Sequence, residues 1–477
     1  GHTYSFKIGN LKCAQSAQQL STKSVTYNAT YGTLPTPTRV GFTFQGWFTD
    51  KTAGTQVKET SKVAITANQT LYARWSANGY TVTFDANEGT LSGKTEVNVA
   101  YDGTSYNSVG SHVSVTRTGY TFLGWFDKAT GGNMIWDASG DGVKGTYWTD
   151  IPSKNGTWQY TGNVTAYAHW SANWYSITFD PNGGNITSTN SSVSVCYDLG
   201  AYDELGSTIT VARTGYTFLG WFDKSSGGEQ VYTATGGAIT GNYWKATSNG
   251  NVWQHDGNVT LYAQWSAKTY KLTIYPNGGT LTINDSNFIK NDDGSIYVYV
   301  TYDRLDYSRL QVTASKTGYT TTGIFDKASG GVKLWGNGGQ CLNDGTYWKN
   351  NVWAHDGDVT LYFQYTANVY TVTIMPNGGT ITVNDQYIKK NADGSVSFTK
   401  TYNTSAMSYL SVSGSKDGYT TLGIFDKASG GIQLWGNGGQ CLNDGTYWKD
   451  NTWIYAGDVT LYFQYQDATK PVVGTYA

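Results

Sequence analysis

The chain has 477 residues, a formal net charge of −2, 14% charged residues and 15% aromatics, among them 18 Trp and 38 Tyr. So sparse and balanced a charge leaves no basic face for nucleic acid and no pull toward an anionic membrane. No apolar run approaches the roughly 18 residues that a membrane span needs, and the opening Gly1-His2-Thr3 shows no secretory leader, as expected of a mature or excised chain.

Along the chain, the first clear unit runs from a Gly41-Phe42-Thr43 turn to a closing segment, Leu71-Tyr72-Ala73-Arg74-Trp75. The pair recurs as Gly119-Tyr120-Thr121 with Ala166 to Trp170, and as Gly215-Tyr216-Thr217 with Leu261 to Trp265. It returns as Gly318-Tyr319-Thr320 with Leu361 to Tyr365, and as Gly418-Tyr419-Thr420 with Leu461 to Tyr465. The last aromatics fall at 75, 170, 265, 365 and 465, so the spacing is 95, 95, 100 and 100. That period is too long for a helical solenoid and suits a small domain copied in tandem. The repeats are placed at 1–76, 77–171, 172–266, 267–366 and 367–466, with a tail at 467–477.

The third copy shows the internal plan. In Trp174-Tyr175-Ser176-Ile177-Thr178-Phe179 the residues Tyr175, Ile177 and Phe179 alternate onto one side, which predicts a half-buried strand. Asp180-Pro181-Asn182-Gly183-Gly184 ends it with residues that accept positive φ. Further strands are predicted at Ser192–Tyr197, across Tyr216–Lys224 and at Asn258–Trp265; nothing shows a sustained helical period. The fold class is therefore mostly β. Between Gly228 and Asn258 lies an aromatic-rich flap with Tyr243-Trp244 and Trp253. Repeats two, four and five carry counterparts in Trp148 with Trp158, Trp348 with Trp353, and Trp448 with Trp453; the first repeat lacks it.

The copies fall into two types whose differences compensate. Trp125 and Trp221 become Ile324 and Ile424, while Ala168 and Ala263 become Phe363 and Phe463, and Trp170 and Trp265 become Tyr365 and Tyr465. Volume moved from one strand to another is what a packed core allows, so these aromatics read as core. Linkers such as Ser76-Ala77-Asn78 and Thr366-Ala367-Asn368 leave few free dihedrals. Five beads of roughly 30 Å held in line would make an elongated rod of ~150 Å.

Candidate chemistry is thin. Cys341 and Cys441 hold equivalent places one repeat apart, too far for the roughly 7 Å that a disulfide tolerates, and with Cys13 and Cys196 they are expected as free thiols. His255 and His355 are replaced by Tyr455 and Tyr160 in other repeats, which argues for a packing or surface site and against catalysis. Asn291-Asp292-Asp293-Gly294 reads as a hairpin turn before it reads as a calcium loop. No metal-ligand spacing, phosphate loop or other cofactor motif appears, and no catalytic residue is assigned. Flap aromatics are the binding candidates: Trp244, Trp253, Trp348 and Trp353 could stack on sugar rings, or else plug the flap onto its bead.

The succession of Asp-Pro-Asn-Gly-Gly, Gly-Tyr-Thr-Phe-Leu-Gly-Trp-Phe and Val-Thr-Leu-Tyr-Ala-Gln-Trp resembles the Listeria–Bacteroides repeat, also called the internalin B-repeat. Thr38 to Phe48 followed by Leu71 to Trp75 fits closest, and Ile324 and Ile424 depart from the pattern. The resemblance implies β-grasp-like beads in a secreted or wall-attached bacterial surface protein. It carries no catalytic residues to transfer.

Two functions are expected. The first is an extracellular, non-enzymatic structural or adhesive stalk that meets a receptor on a host or neighbouring cell and is a candidate filament subunit. The second is a glycan-binding array. In the filament reading the tail residues Val472, Val473, Thr475 and Tyr476 add a strand to the open first bead of another copy, joining copies head to tail.

Overall fold

The computed structural model describes residues 3–9, 22–149, 156–206 and 208–470. Cys13 and the tail positions Val472, Val473, Thr475 and Tyr476 lie outside the described residues. The chain divides into two compact units, Gly1–Val211 with Leu219–Gln264, and Ala212–Phe218 with Trp265–Ala477. Every regular element among the described residues is a strand.

One sheet plan is used five times. An opening strand lies beside a return strand on one flank and the closing strand on the other; beyond the closing strand come the strand that follows the glycine turn and a short edge strand. In the second repeat these are Gly79–Asp85, Glu96–Ala100, Val164–Ala172, Tyr120–Phe126 and Met134–Asp137. The fifth repeat uses Val369–Met375, Val396–Thr401, Val459–Asp467, Tyr419–Phe425 and Gln433–Gly436. Opening and closing strands run parallel, with Val82 opposite Val164 and Val372 opposite Val459, while their neighbours run antiparallel. A parallel pair cannot be joined by a tight hairpin, so the rest of the repeat forms the crossover between them.

The strand after the glycine turn carries a bulge at a fixed place. Its register against the closing strand shifts between Phe122 and Gly124, and again between Thr421 and Gly423. Gly124 sits at φ +135°, and a Cβ there would come 2.6 Å from the Trp136 carbonyl oxygen, so no side chain fits. The bulge turns both Trp125 and its neighbour Gly124 inward.

Beyond the bulge the two repeat types explain themselves. Trp125 lies directly opposite Ala168, whereas Ile324 faces Phe363 and Ile424 faces Phe463. The exchange of volume is therefore between cross-strand partners, and each pair fills the same space. The change from Trp170 to Tyr365 also keeps a polar contact. Trp170 Nε1 donates to the Asn87 carbonyl (3.0 Å), and the Tyr365 hydroxyl donates to the Pro276 carbonyl (2.6 Å) of the equivalent turn. From that turn Asn182 donates to the Ala263 carbonyl (2.8 Å) and Asn277 to that of Phe363 (2.9 Å), tying turn to closing strand. Asn182 holds φ +45°, as its Asp-Pro-Asn-Gly turn requires.

The flap tryptophans belong to the buried core of their own repeats. Trp348 pairs with Trp353 and Trp448 with Trp453 across short antiparallel ladders, in both cases with rings 5.4 Å apart and nearly perpendicular. Tyr347 packs against His355 with ring centroids 4.8 Å apart, and Tyr447 against Tyr455 at 4.7 Å, both pairs tilted, so the position shared by His and Tyr is a packing site beside the flap.

Candidate functional site

The sites that recur most regularly lie where one repeat meets the next. In each glycine turn the glycine adopts a left-handed conformation: φ is +78° at Gly41, +78° at Gly119, +77° at Gly215 and +79° at Gly318. Against each bare Cα lies the ring of a tyrosine from the following repeat, Tyr101, Tyr197, Tyr302 and Tyr402 respectively. A Cβ on these glycines would fall 2.1–2.3 Å from the tyrosine Cγ. Glycine is thus required twice, for its backbone angle and for the approach of the ring.

The aromatic residue after the glycine completes the socket. Phe42, Tyr120, Tyr216 and Tyr319 meet the incoming rings edge to face at 5.5, 5.6, 5.6 and 5.4 Å. A cation covers their other face: Arg39 over Phe42 (3.7 Å), Arg117 over Tyr120 (3.8 Å), Arg213 over Tyr216 (3.8 Å) and Lys316 over Tyr319 (4.7 Å). Edge-to-face rings and a cation on a π face each add a modest attraction beyond area burial. Glu88 pairs with Arg117 at 2.6 Å.

Polar contacts accompany the rings. The residue after each incoming tyrosine is Asp or Asn at positive φ, between +56° and +57° for Asp102, Asp198, Asp303 and Asn403. The Tyr120 hydroxyl donates to Asp198 (2.7 Å) and that of Tyr216 to Asp303 (2.8 Å). Burial first, and then the Asp198 carboxylate, push the Tyr120 phenol up to about 12. The linker is pinned from both sides. The Asn78 amide donates to the Gly41 carbonyl and its own carbonyl accepts from the Tyr101 amide, both at 2.9 Å; Asn368 does the same between Gly318 and Tyr402. At the third joint Lys268 takes the linker place and pairs with Asp356 (3.5 Å), which also accepts from the Tyr270 hydroxyl.

Shallow polar clefts open beside two joints. One of about 360 Å³ is lined by Glu88, Arg117, Tyr120, Tyr197, Asp198 and Lys245, and one of about 420 Å³ by Lys316, Tyr319, Tyr402 and Asn403 with neighbouring backbone. Neither presents a nucleophile next to a base. Among the described residues no group of three or more His, Cys, Asp or Glu side chains could hold a metal ion, and no helix is long and apolar enough to cross a membrane.

The sugar-contact expectation for Trp244, Trp253, Trp348 and Trp353 must be corrected, because all four are 0% exposed. Their faces are covered by each other and by the core, so no ring is left for a sugar to stack on. Cys196 is a buried free thiol and Cys341 and Cys441 are partly buried free thiols. Cys341 Sγ donates to Asn351 Oδ1 (3.6 Å) and Cys441 Sγ to Asn451 Oδ1 (3.4 Å), and burial pushes both thiols up. Asn291-Asp292-Asp293-Gly294 forms the turn of a hairpin, with the Asn291 amide donating to the Ser295 carbonyl.

The incoming tyrosines were not singled out from the sequence. Their signal was present as Tyr-Asp or Tyr-Asn after every return strand, but a polar turn pair looks local until its partner is seen in the preceding repeat.

The Listeria-Bacteroides repeat domain model matches residues 6–74, 80–169 and 175–244, which lie in the first three repeats. A putative Gly-rich membrane protein of Evansella cellulosilytica is 27% identical over 256 residues, 53% of this chain and 24% of that protein. Internalin H of Listeria monocytogenes is 36% identical over 138 residues, 29% of this chain and 20% of its own length. The chain thus spans about a quarter or less of these two curated relatives. A solved structure of the Bacillus anthracis TIE protein aligns over 67% of this chain and 57% of its own, at 9% identity and a TM-score of 0.15, too low to bear on the fold. With the family model matched in three successive repeats, the first three repeats of the chain belong to the Listeria-Bacteroides repeat family, and the same sheet plan continues in the other two.

Proposed function

We propose that this chain is a non-catalytic stretch of a bacterial surface protein, a structural or adhesive stalk whose joints hold neighbouring repeats in one orientation. The observation that carries this reading is the joint itself: a tyrosine seated on a bare glycine, four times over, with the linker pinned on both sides. Four copies of one contact serve geometry better than recognition. Membership of a repeat family that includes an internalin, and relatives named as membrane proteins, support a place at the cell surface. A receptor on another cell is the partner such a stalk would present a binding end to. No observation favours the glycan-array reading, since the flap tryptophans are buried.

Distance measurements between spin labels on the fourth and fifth repeats test the joint. A narrow distribution is expected, and broadening in Tyr402→Ala with both repeats still folded. A broad distribution in the unsubstituted protein would remove the rigid-joint reading.

A further inference from the structure

The fifth repeat carries the same socket, and no tyrosine among the described residues is seated in it. Gly418 holds φ +77°, and among the described residues nothing lies within 4 Å of where its Cβ would be. Lys416 already covers one face of Tyr419 at 4.2 Å, yet Tyr419 is 41% exposed. The Ala468 amide donates to the Gly418 carbonyl at 3.0 Å, as Asn368 does to Gly318, so half of the linker pinning is also in place.

The first repeat carries the matching tyrosine. Thr26-Tyr27-Asn28 follows the return strand Thr22–Thr26 as Thr401-Tyr402-Asn403 follows Val396–Thr401. Asn28 has the required positive φ, +66° against +56° for Asn403, and Tyr27 is 47% exposed. The residue types agree with the joint between the fourth and fifth repeats. There Lys316, Gly318 and Tyr319 receive Tyr402 and Asn403; here Lys416 is half-buried, while Gly418, Tyr419, Tyr27 and Asn28 are exposed.

We propose that the Gly418–Tyr419 socket takes the Tyr27–Asn28 tyrosine of a second copy of this chain, joining copies head to tail. Tyr27 lies on bare Gly418 and edge-on to Tyr419, and the Ala468 carbonyl accepts from the Tyr27 amide, as that of Asn368 does from Tyr402. The two halves sit on different repeats, so the contact is heterologous and each added copy leaves a new socket open. Without the covalent linker the joint loses its effective concentration, so dissociation constants of roughly 0.1–1 mM are expected.

Sedimentation of the whole chain at up to about 1 mM tests this. The unsubstituted protein is expected to grow in size with concentration, and Tyr27→Ser and Tyr419→Ser are each expected to stay monomeric. An equimolar mixture of the two variants is expected to stop at dimers, because one retains only the socket and the other only the tyrosine. A monomeric unsubstituted protein, association that survives in either variant, or a mixture that stays monomeric or grows past dimers overturns the proposal. A monomeric result leaves the stalk reading standing, since that rests on the internal joints alone.

Discussion

The fourth and fifth repeats are near copies that differ at two instructive places. Their flaps share Leu-Trp-Gly-Asn-Gly-Gly-Gln-Cys-Leu-Asn-Asp, and their tryptophans pack in the same perpendicular pairs. Yet the fourth socket holds Tyr402, while the fifth is open among the described residues. Gly318 and Gly418 differ by only 2° in φ, +79° against +77°, and Lys316 and Lys416 cover their tyrosines at 4.7 and 4.2 Å. The socket is therefore formed by its own repeat before any ring arrives, and docking requires little rearrangement. The second difference lies inside: the core position Val300 becomes Lys400, and both side chains are 0% exposed. The fifth core accommodates an amine by directing it at the Thr404 carbonyl (3.3 Å) and that of Ala406, and by laying it over Trp448 at 4.6 Å.

The largest expected effect tests whether the two flaps are equivalent. Trp348→Ala and Trp448→Ala should each destabilise their own repeat by about 3–5 kcal/mol through the cavity left behind. Trp448→Ala should be the more damaging, because it also uncovers Lys400. Peptide-resolved hydrogen exchange on the whole chain would show the loss confined to the substituted repeat, and equal losses in both repeats would break the comparison.

Next come the two socket glycines. Gly418→Ala should cost about 1–2 kcal/mol from left-handed backbone strain alone. Gly318→Ala bears the same strain and must also displace the Tyr402 ring, adding roughly 1–3 kcal/mol of overpacking. Hydrogen exchange in the turns of the two repeats would read the difference; identical costs would mean that Tyr402 is not seated as described.

The smallest effect concerns charge in the core. Burial lowers the Lys400 ammonium from 10.5 to about 8. Above that pH the folded amine is neutral while the unfolded one still binds a proton, so this group makes stability rise between pH 8 and 10.5. Below pH 8 both states are charged and it contributes no slope. The urea midpoint of the fifth repeat, followed by labelling at Cys441, should climb over that window relative to the fourth, followed at Cys341. Lys400→Met should abolish the difference and raise the midpoint at neutral pH.

How much of this was legible in the sequence depends on how local the interaction is. The five repeats, the strands and the flaps follow from period and alternation, which each segment carries in itself. The exchange of Trp125 and Ala168 for Ile324 and Phe363 could be read as compensation because repeats can be compared with one another, although the register that makes the residues direct partners came from the sheet. The flap tryptophans remained ambiguous between plug and sugar platform, since an aromatic pair looks alike in sequence whether it faces core or solvent. The joints were missed for a related reason. A glycine and a tyrosine 60 to 87 residues apart share no local pattern, and each has a sufficient local explanation as a turn residue.

The pairing of Trp125 with Ala168 and of Ile324 with Phe363 also constrains how such an array can change over time. The two members of each pair lie on strands separated by the whole flap, so a genetic crossover inside the flap would part them. One hybrid would set Trp against Phe and overfill the core; the other would set Ile against Ala and leave a void. Crossovers at the linkers keep every pair together. Arrays of this kind should therefore lengthen, shorten and mix their types in whole repeats, with the seams of that history at positions such as Asn173 and Asn368.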